Sequence, residues 1–191
     1  MTTEKIIHGR GQEGILLRQA EVNDCTAAYV GWLNDPEVNR FLETRWNRQD
    51  LEGIREFVRA QRENSHSILF AIIKTEGDRH IGNIKIGPAD WNNRHADISY
   101  FIGEKDCWNK GIATEAIRLA CTYGFEELGL RRIEAGAYAG AVGSWKALER
   151  NGFIREGVFR DQADLCGTYM DIYRYGLLKQ DFERNNGNSF D

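Results

Sequence analysis

The chain has 191 residues, 41% hydrophobic and 28% charged, which predicts a soluble globular protein with one domain and a sizeable core. A net charge of −4 argues against a broad basic surface for nucleic acid. No apolar run is long enough to span a bilayer, and Met1–Lys5 is not followed by a signal-peptide core, so no membrane partner and a cytoplasmic location are expected. The cysteines Cys25, Cys107, Cys121 and Cys166 are scattered without a C-x-x-C pair, as suits reduced thiols rather than a disulfide framework or a zinc site.

Residues 1–12 are weakly patterned. Gly9-Arg10-Gly11-Gln12-Glu13-Gly14 matches G-x-G-x-x-G, but the dinucleotide motif opens a helix, and here Ile15-Leu16-Leu17-Arg18 reads as a strand. The match is therefore read as a glycine-rich turn. Asp24 is placed to cap a helix through Ala27, Ala28, Val30 and Leu33, which Asn34-Asp35-Pro36 ends because the residue before proline avoids helical geometry. Pro36 suits the start of a short helix over Glu37–Leu42. Asn47 is the expected cap of the next helix, whose apolar side carries Leu51, Ile54, Phe57 and Val58. Ser67–Lys74 and His80–Ile86 read as strands about a Glu76-Gly77-Asp78 turn, with Pro88–Arg94 as a loop.

Ala96–Gly103 follows as a strand, and Ile112, Ala116, Ile117, Ala120, Phe125 and Leu128 then recur at helical spacing up to a close near Gly129. Between them Trp108-Asn109-Lys110-Gly111-Ile112-Ala113-Thr114-Glu115 is a strand-to-helix turn with a sparsely covered backbone. Free N–H groups, the helix dipole and Lys110 together suit an anion site, with phosphate the expected ligand and a tight turn that packs a helix on the sheet as the other reading. Arg131–Tyr138 alternates as a strand, Gly140–Ser144 opens a short helix ending at Asn151-Gly152, and Phe153–Arg160 and Tyr169–Leu178 are strands about a turn at Gly167. One domain over residues 1–180 and a polar, frayed tail over 181–191 are expected. The element order implies an α/β (mixed α+β) sheet with helices on both faces.

With these elements in place, the chain from about Ile15 to Leu178 resembles the GNAT (general N-acetyltransferase) superfamily, in its ribosomal-protein-alanine acetyltransferase-like branch. The resemblance rests on Ile15-Leu16-Leu17-Arg18, Trp32-Leu33-Asn34-Asp35-Pro36, Trp108–Glu115 and Asn151-Gly152-Phe153 with Glu156-Gly157. It implies a mostly antiparallel mixed sheet with a splayed central gap, and acetyl-CoA as co-substrate with no metal. By the same resemblance the turn from Trp108 through Asn109, Lys110, Gly111, Ile112 and Ala113 to Thr114 holds the pyrophosphate. Trp108 stands where the family has Gln or Arg. The backbone of Tyr100, Phe101 and Ile102 maps to the strand that pairs with the pantetheine arm. Ala141 replaces a family asparagine, and Leu148 replaces the family tyrosine that protonates the leaving thiolate. Ser144 remains as the hydroxyl near the thiol, with a plain helix-start role as the other reading.

Amine attack on a thioester needs an aligned neutral acceptor, a donor for the developing oxyanion and a base for the amine proton. Asp97 is the candidate base, eleven residues before Trp108 and close to where the resemblance puts a strand carboxylate. His66, His80 and His95 are other proton carriers, without H-E-x-x-H or another compact metal set. No G-x-x-x-x-G-K-[ST] or G-x-S-x-G is present, so P-loop and serine-hydrolase chemistry have no support. The acceptor wall is expected over Asn34–Arg48, where Asp35, Glu37 and Glu43 are balanced by Arg40, Arg45 and Arg48, with Tyr169 on a late strand. A polyamine site would show a carboxylate surplus, whereas arginine forks suit anions. The leading expectation is direct acetyl transfer to a primary amine on a small molecule or peptide, a nucleotide-linked amino sugar ahead of spermidine. A non-catalytic acyl-CoA-binding module, a protein N-terminal (ribosomal-protein-type) acetyltransferase and a polyamine acetyltransferase stay open, as does a homodimer.

Overall fold

The computed structural model describes residues 6–8 and 14–187. The Gly9–Glu13 part of the G-x-G-x-x-G match lies outside the described residues, as do residues 188–191 of the expected tail. The strands are β1 (Ile6–His8), β2 (Ile15–Gln19), β3 (Ile68–Lys74), β4 (Arg79–Asp90), β5 (His95–Ile102), β6 (Arg132–Tyr138), β7 (Ile154–Leu165) and β8 (Thr168–Leu178). They form one eight-stranded sheet in the order β1-β2-β3-β4-β5-β6-β8-β7. Neighbours run antiparallel except β5 and β6, which are parallel. The helices are α1 (Ala27–Asn34), α2 (Pro36–Asn39), α3 (Leu51–Glu63), α4 (Ile112–Glu126), α5 (Val142–Arg150) and α6 (Lys179–Gly187).

Side-chain alternation along each strand sorts the core onto two faces. On one, Ala96 and Ile98 of β5 join Ile112, Ala116 and Ile117 of α4 and Leu148 of α5, with Tyr100 and Ile102 packed alongside. On the other, Tyr29, Trp32 and Leu33 of α1 and Ile54 and Val58 of α3 cover β3, with Phe101 of β5 at the border. Helices thus stand on both faces, as the element order implies.

The strands β5 and β6 pair only through His95–Arg132, Ala96–Ile133 and Asp97–Glu134. Beyond Asp97, β5 stays on β4 as far as Ile102 opposite Gly82, while β6 stays on β8 as far as Tyr138 opposite Ile172. The two strands therefore part after Asp97 and leave a wedge whose β5 edge has no strand partner among the described residues. This is the splayed gap that the resemblance implies.

Several local readings change. Asp24 does not cap α1, because its carboxylate already receives Arg18 at 2.6 and 3.1 Å and the Glu21 N–H at 2.7 Å. Thr26 caps instead, accepting from Tyr29 N. Asp50 rather than Asn47 caps α3, accepting from Gly53 N at 2.8 Å. The short helix is Pro36–Asn39, not Glu37–Leu42. Pro88 does not start a loop: β4 continues to Asp90 across an irregularity between Ile86 and Ala89, where a missing N–H costs the ladder little. The weakly patterned N-terminus contributes β1, and β7 runs past Arg160 to Leu165. Residues 181–187 are helical rather than frayed, since Phe182 is 5% exposed and packs on Phe125 with ring centroids 5.2 Å apart.

The open end of β5 is braced from α1. The Trp32 indole donates to Glu104 at 3.0 Å and lies against Gly103, where an added Cβ would sit 2.1 Å from the indole Cδ2. Gly103→Ala is expected to destabilise the fold by about 1–3 kcal/mol, the usual range for overpacking. A lower urea midpoint with an unchanged m-value would show it.

Candidate active site

The turn after β5 is built from its backbone outward. Asn109 (φ 59°) and Gly111 (φ 79°) both adopt the left-handed conformation, which Asn and Gly tolerate best. Gly111 is the N-cap of α4, and no side chain caps that end. The first-turn N–H groups of α4, with the helix dipole behind them, therefore face outward beside exposed Lys110. The Trp108 indole folds back and donates to the Ile102 carbonyl at 2.9 Å, which ties the turn to the end of the open edge. From the C-cap of α5, the Asn151 side chain donates to the carbonyls of Thr114 (3.0 Å) and Ala147 (2.8 Å) and so fixes the first turn of α4. Tyr100, Phe101, Ile102, Trp108, Asn109, Lys110, Gly111, Ile112, Ala113 and Thr114 thus follow one another around the open end of β5. Phe101 and Ile112 turn their side chains into the two cores, and the Phe101 backbone pairs with Asn83 of β4, so of these two only the backbone of Ile112 is available. An unpaired strand edge leading to an uncapped helix start and a lysine is a donor set that fits an extended amide chain ending in a diphosphate.

Across the wedge, Ser144 stands in the first turn of α5, whose N-cap, Ala141, makes no side-chain bond. The Tyr100 phenol reaches it, 2.9 Å from Ser144 Oγ and 3.0 Å from the Ser144 carbonyl. Burial raises the pKa of that phenol. Leu148 is fully buried, so the position of the family acid holds only core.

Asp97 lies where β5 and β6 part, and its odd number in the strand places it on the face opposite Tyr100. Arg174 Nη2 approaches its carboxylate at 3.4 Å. Burial raises the Asp97 pKa, nearby Glu134 adds to the rise, and Arg174 opposes it. Glu134 itself accepts from Arg132 at 2.8 Å, and Arg132 also grips Glu156. His95 lies 3.8 Å from Glu134 and 3.6 Å from Asp90, at the border of this ionic group. The other two histidines lie elsewhere: His66 bonds the Ala89 carbonyl, and His80 sits among Tyr29 and Trp32, where burial lowers its pKa. Among the described residues no group of His, Cys, Asp and Glu could hold a metal ion.

The expected acceptor wall forms a strap between the two sides of the wedge. At one end Asp35 binds Lys105 at 2.7 Å, and Glu37 binds the same ammonium, just beyond β5. At the other end Glu43 accepts from the Tyr138 hydroxyl at the tip of β6. Arg45 donates to that hydroxyl at 2.8 Å and to the Asp164 carbonyl of β7 at 3.0 Å. Four of the predicted acceptor residues are therefore held by internal partners, which local charge balance could not reveal. Arg40 is exposed and stacks on Phe41. Tyr169 is 68% exposed near the β7–β8 turn, five residues along β8 from Arg174, or about 17 Å at strand rise. The structure does not bring it to Asp97. Sequence reading passed over Glu134, Tyr138 and Arg174. The usable signal was the alternation itself: with Ile133, Ala135 and Ala137 buried, Glu134 and Tyr138 must take the opposite face.

A model of the acetyltransferase (GNAT) domain matches residues 15–154. "Uncharacterized N-acetyltransferase p20" of Bacillus licheniformis is 32% identical over 173 residues, covering 89% of this chain and 96% of the relative. "Putative ribosomal N-acetyltransferase YdaF" of Bacillus subtilis is 41% identical over 102 residues, covering 53% and 55%. Among solved structures, a spermidine N-acetyltransferase from Vibrio cholerae in complex with CoA and spermine superposes with a TM-score of 0.79 over 88% of this chain and 98% of that one. At 19% identity that likeness is one of fold.

Proposed function

The chain belongs to the GNAT acetyltransferase family and is an N-acetyltransferase, and from that premise we propose that it passes the acetyl group of acetyl-CoA directly to a primary amine on an anionic or zwitterionic molecule. A nucleotide-linked amino sugar is placed ahead of spermidine. Bound acetyl-CoA supplies an activated carbonyl with a thiolate leaving group. In this reading the open edge of β5 holds the amide chain, the Trp108–Thr114 turn holds the diphosphate, and Lys110 offsets its charge. Asp97 takes the proton of the acceptor's ammonium from the face opposite Tyr100, so base and thiol are kept apart by the sheet. The same reading counts α6 with the acetyltransferase domain, because Phe182 packs into its core.

The observation that carries the acceptor class is the strap. A polyamine needs free carboxylates, yet Asp35 and Glu37 already share Lys105, and Glu43 is held by Tyr138, Trp46 and Arg45; Arg45 is held as well, which leaves the exposed Arg40 and Arg48 as the strap cations for an anion. Free-thiol release across amino sugar nucleotides, peptide N-termini and spermidine tests this. The kcat/KM for an amino sugar nucleotide is expected to exceed that for spermidine by about tenfold or more, equivalent to one charge-assisted hydrogen bond. A spermidine value well above every other would refute the acceptor class and leave the family assignment untouched.

A further inference from the structure

We propose that Tyr100 is a positioning residue that turns Ser144 into the donor for the leaving sulfur, in place of the family acid whose position Leu148 fills. The proposal rests on the acetyltransferase reading above and goes beyond it in assigning work to a strand tyrosine whose backbone alone was expected to matter.

A phenol carries one proton, and Tyr100 has two acceptors within reach, Ser144 Oγ at 2.9 Å and the Ser144 carbonyl at 3.0 Å. When the phenol proton points to the carbonyl, the serine proton can lie on the phenol oxygen. When the phenol proton points to Oγ, that oxygen is satisfied as an acceptor and its own proton is free to project elsewhere. An anion arriving beside Ser144 favours the second arrangement, because it needs a donor and the relay of two hydroxyls polarises that donor.

The location serves such an anion. Tyr100 is on the strand with the unpaired edge, Ser144 is in the first turn of the helix on the far side of the wedge, and α5 carries no side-chain cap. The uncapped helix start adds partial positive charge on the Ser144 side. As the carbon–nitrogen bond forms and the carbon–sulfur bond breaks, the electron pair of the broken bond stays on sulfur. Ser144 Oγ–H donates to it and Tyr100 O–H donates to Ser144 Oγ. Neither side chain loses its proton; Asp97 passes the ammonium proton on to solvent, the second nitrogen proton leaves to the same carboxylate as the amide forms, and the thiolate is completed to a thiol from solvent. The other ionisable groups bearing on Tyr100 are Cys121 of α4 and Tyr175 of β8. Burial raises the Cys121 thiol and pushes the Tyr175 phenol up to about 12, so both stay neutral around pH 8.

The test compares CoA with desulfo-CoA, which lacks the thiol, by calorimetry on wild type, Tyr100→Phe and Ser144→Ala. From about pH 6.5 to 8.5, a range approaching the ordinary thiol pKa, the wild-type preference for CoA should grow about tenfold as the bound sulfur becomes a stabilised thiolate. Both variants should bind desulfo-CoA like wild type and lose most of that growth. A Tyr100→Phe variant that keeps the full pH-dependent preference overturns the proposal, as does a flat preference in wild type. In turnover, Tyr100→Phe should lower kcat about tenfold at unchanged KM for acetyl-CoA, a modest part of an acid–base contribution. It should add no further loss in the Ser144→Ala background; additive losses would mark a merely structural role and overturn the relay. A folded wild type that shows the CoA preference but acetylates no amine would sink the function reading alone.

Discussion

Gly111→Val is expected to abolish detectable acetyl-CoA binding while the protein stays folded. Gly111 is the left-handed cap of α4, with φ 79° and no side chain over the first-turn donors. A β-branched side chain there meets two obstacles. It resists the backbone angle, at about 1–2 kcal/mol for an L-residue, and it stands over the N–H groups proposed to hold the diphosphate. The first costs some stability. The second removes binding, because an anion cannot recover those donors from any other direction. Calorimetry reads the affinity and thermal unfolding reads the fold. A folded variant with wild-type affinity would mean that the diphosphate lies elsewhere.

Asp97→Asn should lower kcat about 100-fold with acetyl-CoA affinity retained, the usual scale for loss of a general base. The amide keeps the shape of the carboxylate and a carbonyl for the Arg174 contact, but it cannot accept a proton. Because burial raises the Asp97 pKa, the unprotonated base is fully available only above that raised value. Wild-type kcat/KM should therefore fall on the acid side at a pH higher than an exposed aspartate would give, and the variant should lose that limb. A variant with full activity at neutral pH would move the base to water or to a neighbouring group such as His95 or Glu134.

The two variants probe opposite ends of the wedge, and they differ in how far primary sequence revealed them. The turn was readable because its chemistry is local. A strand ending in glycine, a run of small residues and a helix of clear period stand next to one another in the chain, so spacing alone implied an uncapped helix start. The open edge of β5 was inferred only through family resemblance, since strand separation is a property of two segments more than thirty residues apart.

The helix caps show the same boundary at small scale. Asp24 and Asn47 satisfied the local pattern for a cap, but Arg18 of β2 had claimed Asp24, and Asp50 lay nearer the start of α3. Composition of the acceptor strap could not show partners either: Asp35, Glu37, Glu43 and Arg45 read as ligand contacts, and in the fold each also has an internal partner, Lys105, Tyr138 or the Asp164 carbonyl. Hydrophobic period and turn chemistry act over a few residues, so they set most of the elements and the strand-to-helix turn directly from the chain, while the family was read through resemblance. Pairing between charged or hydroxyl groups acts through space. The Tyr100–Ser144 contact, the Asp97–Arg174 contact and the clamped strap join residues brought together by the sheet, and only the folded arrangement could assign their partners.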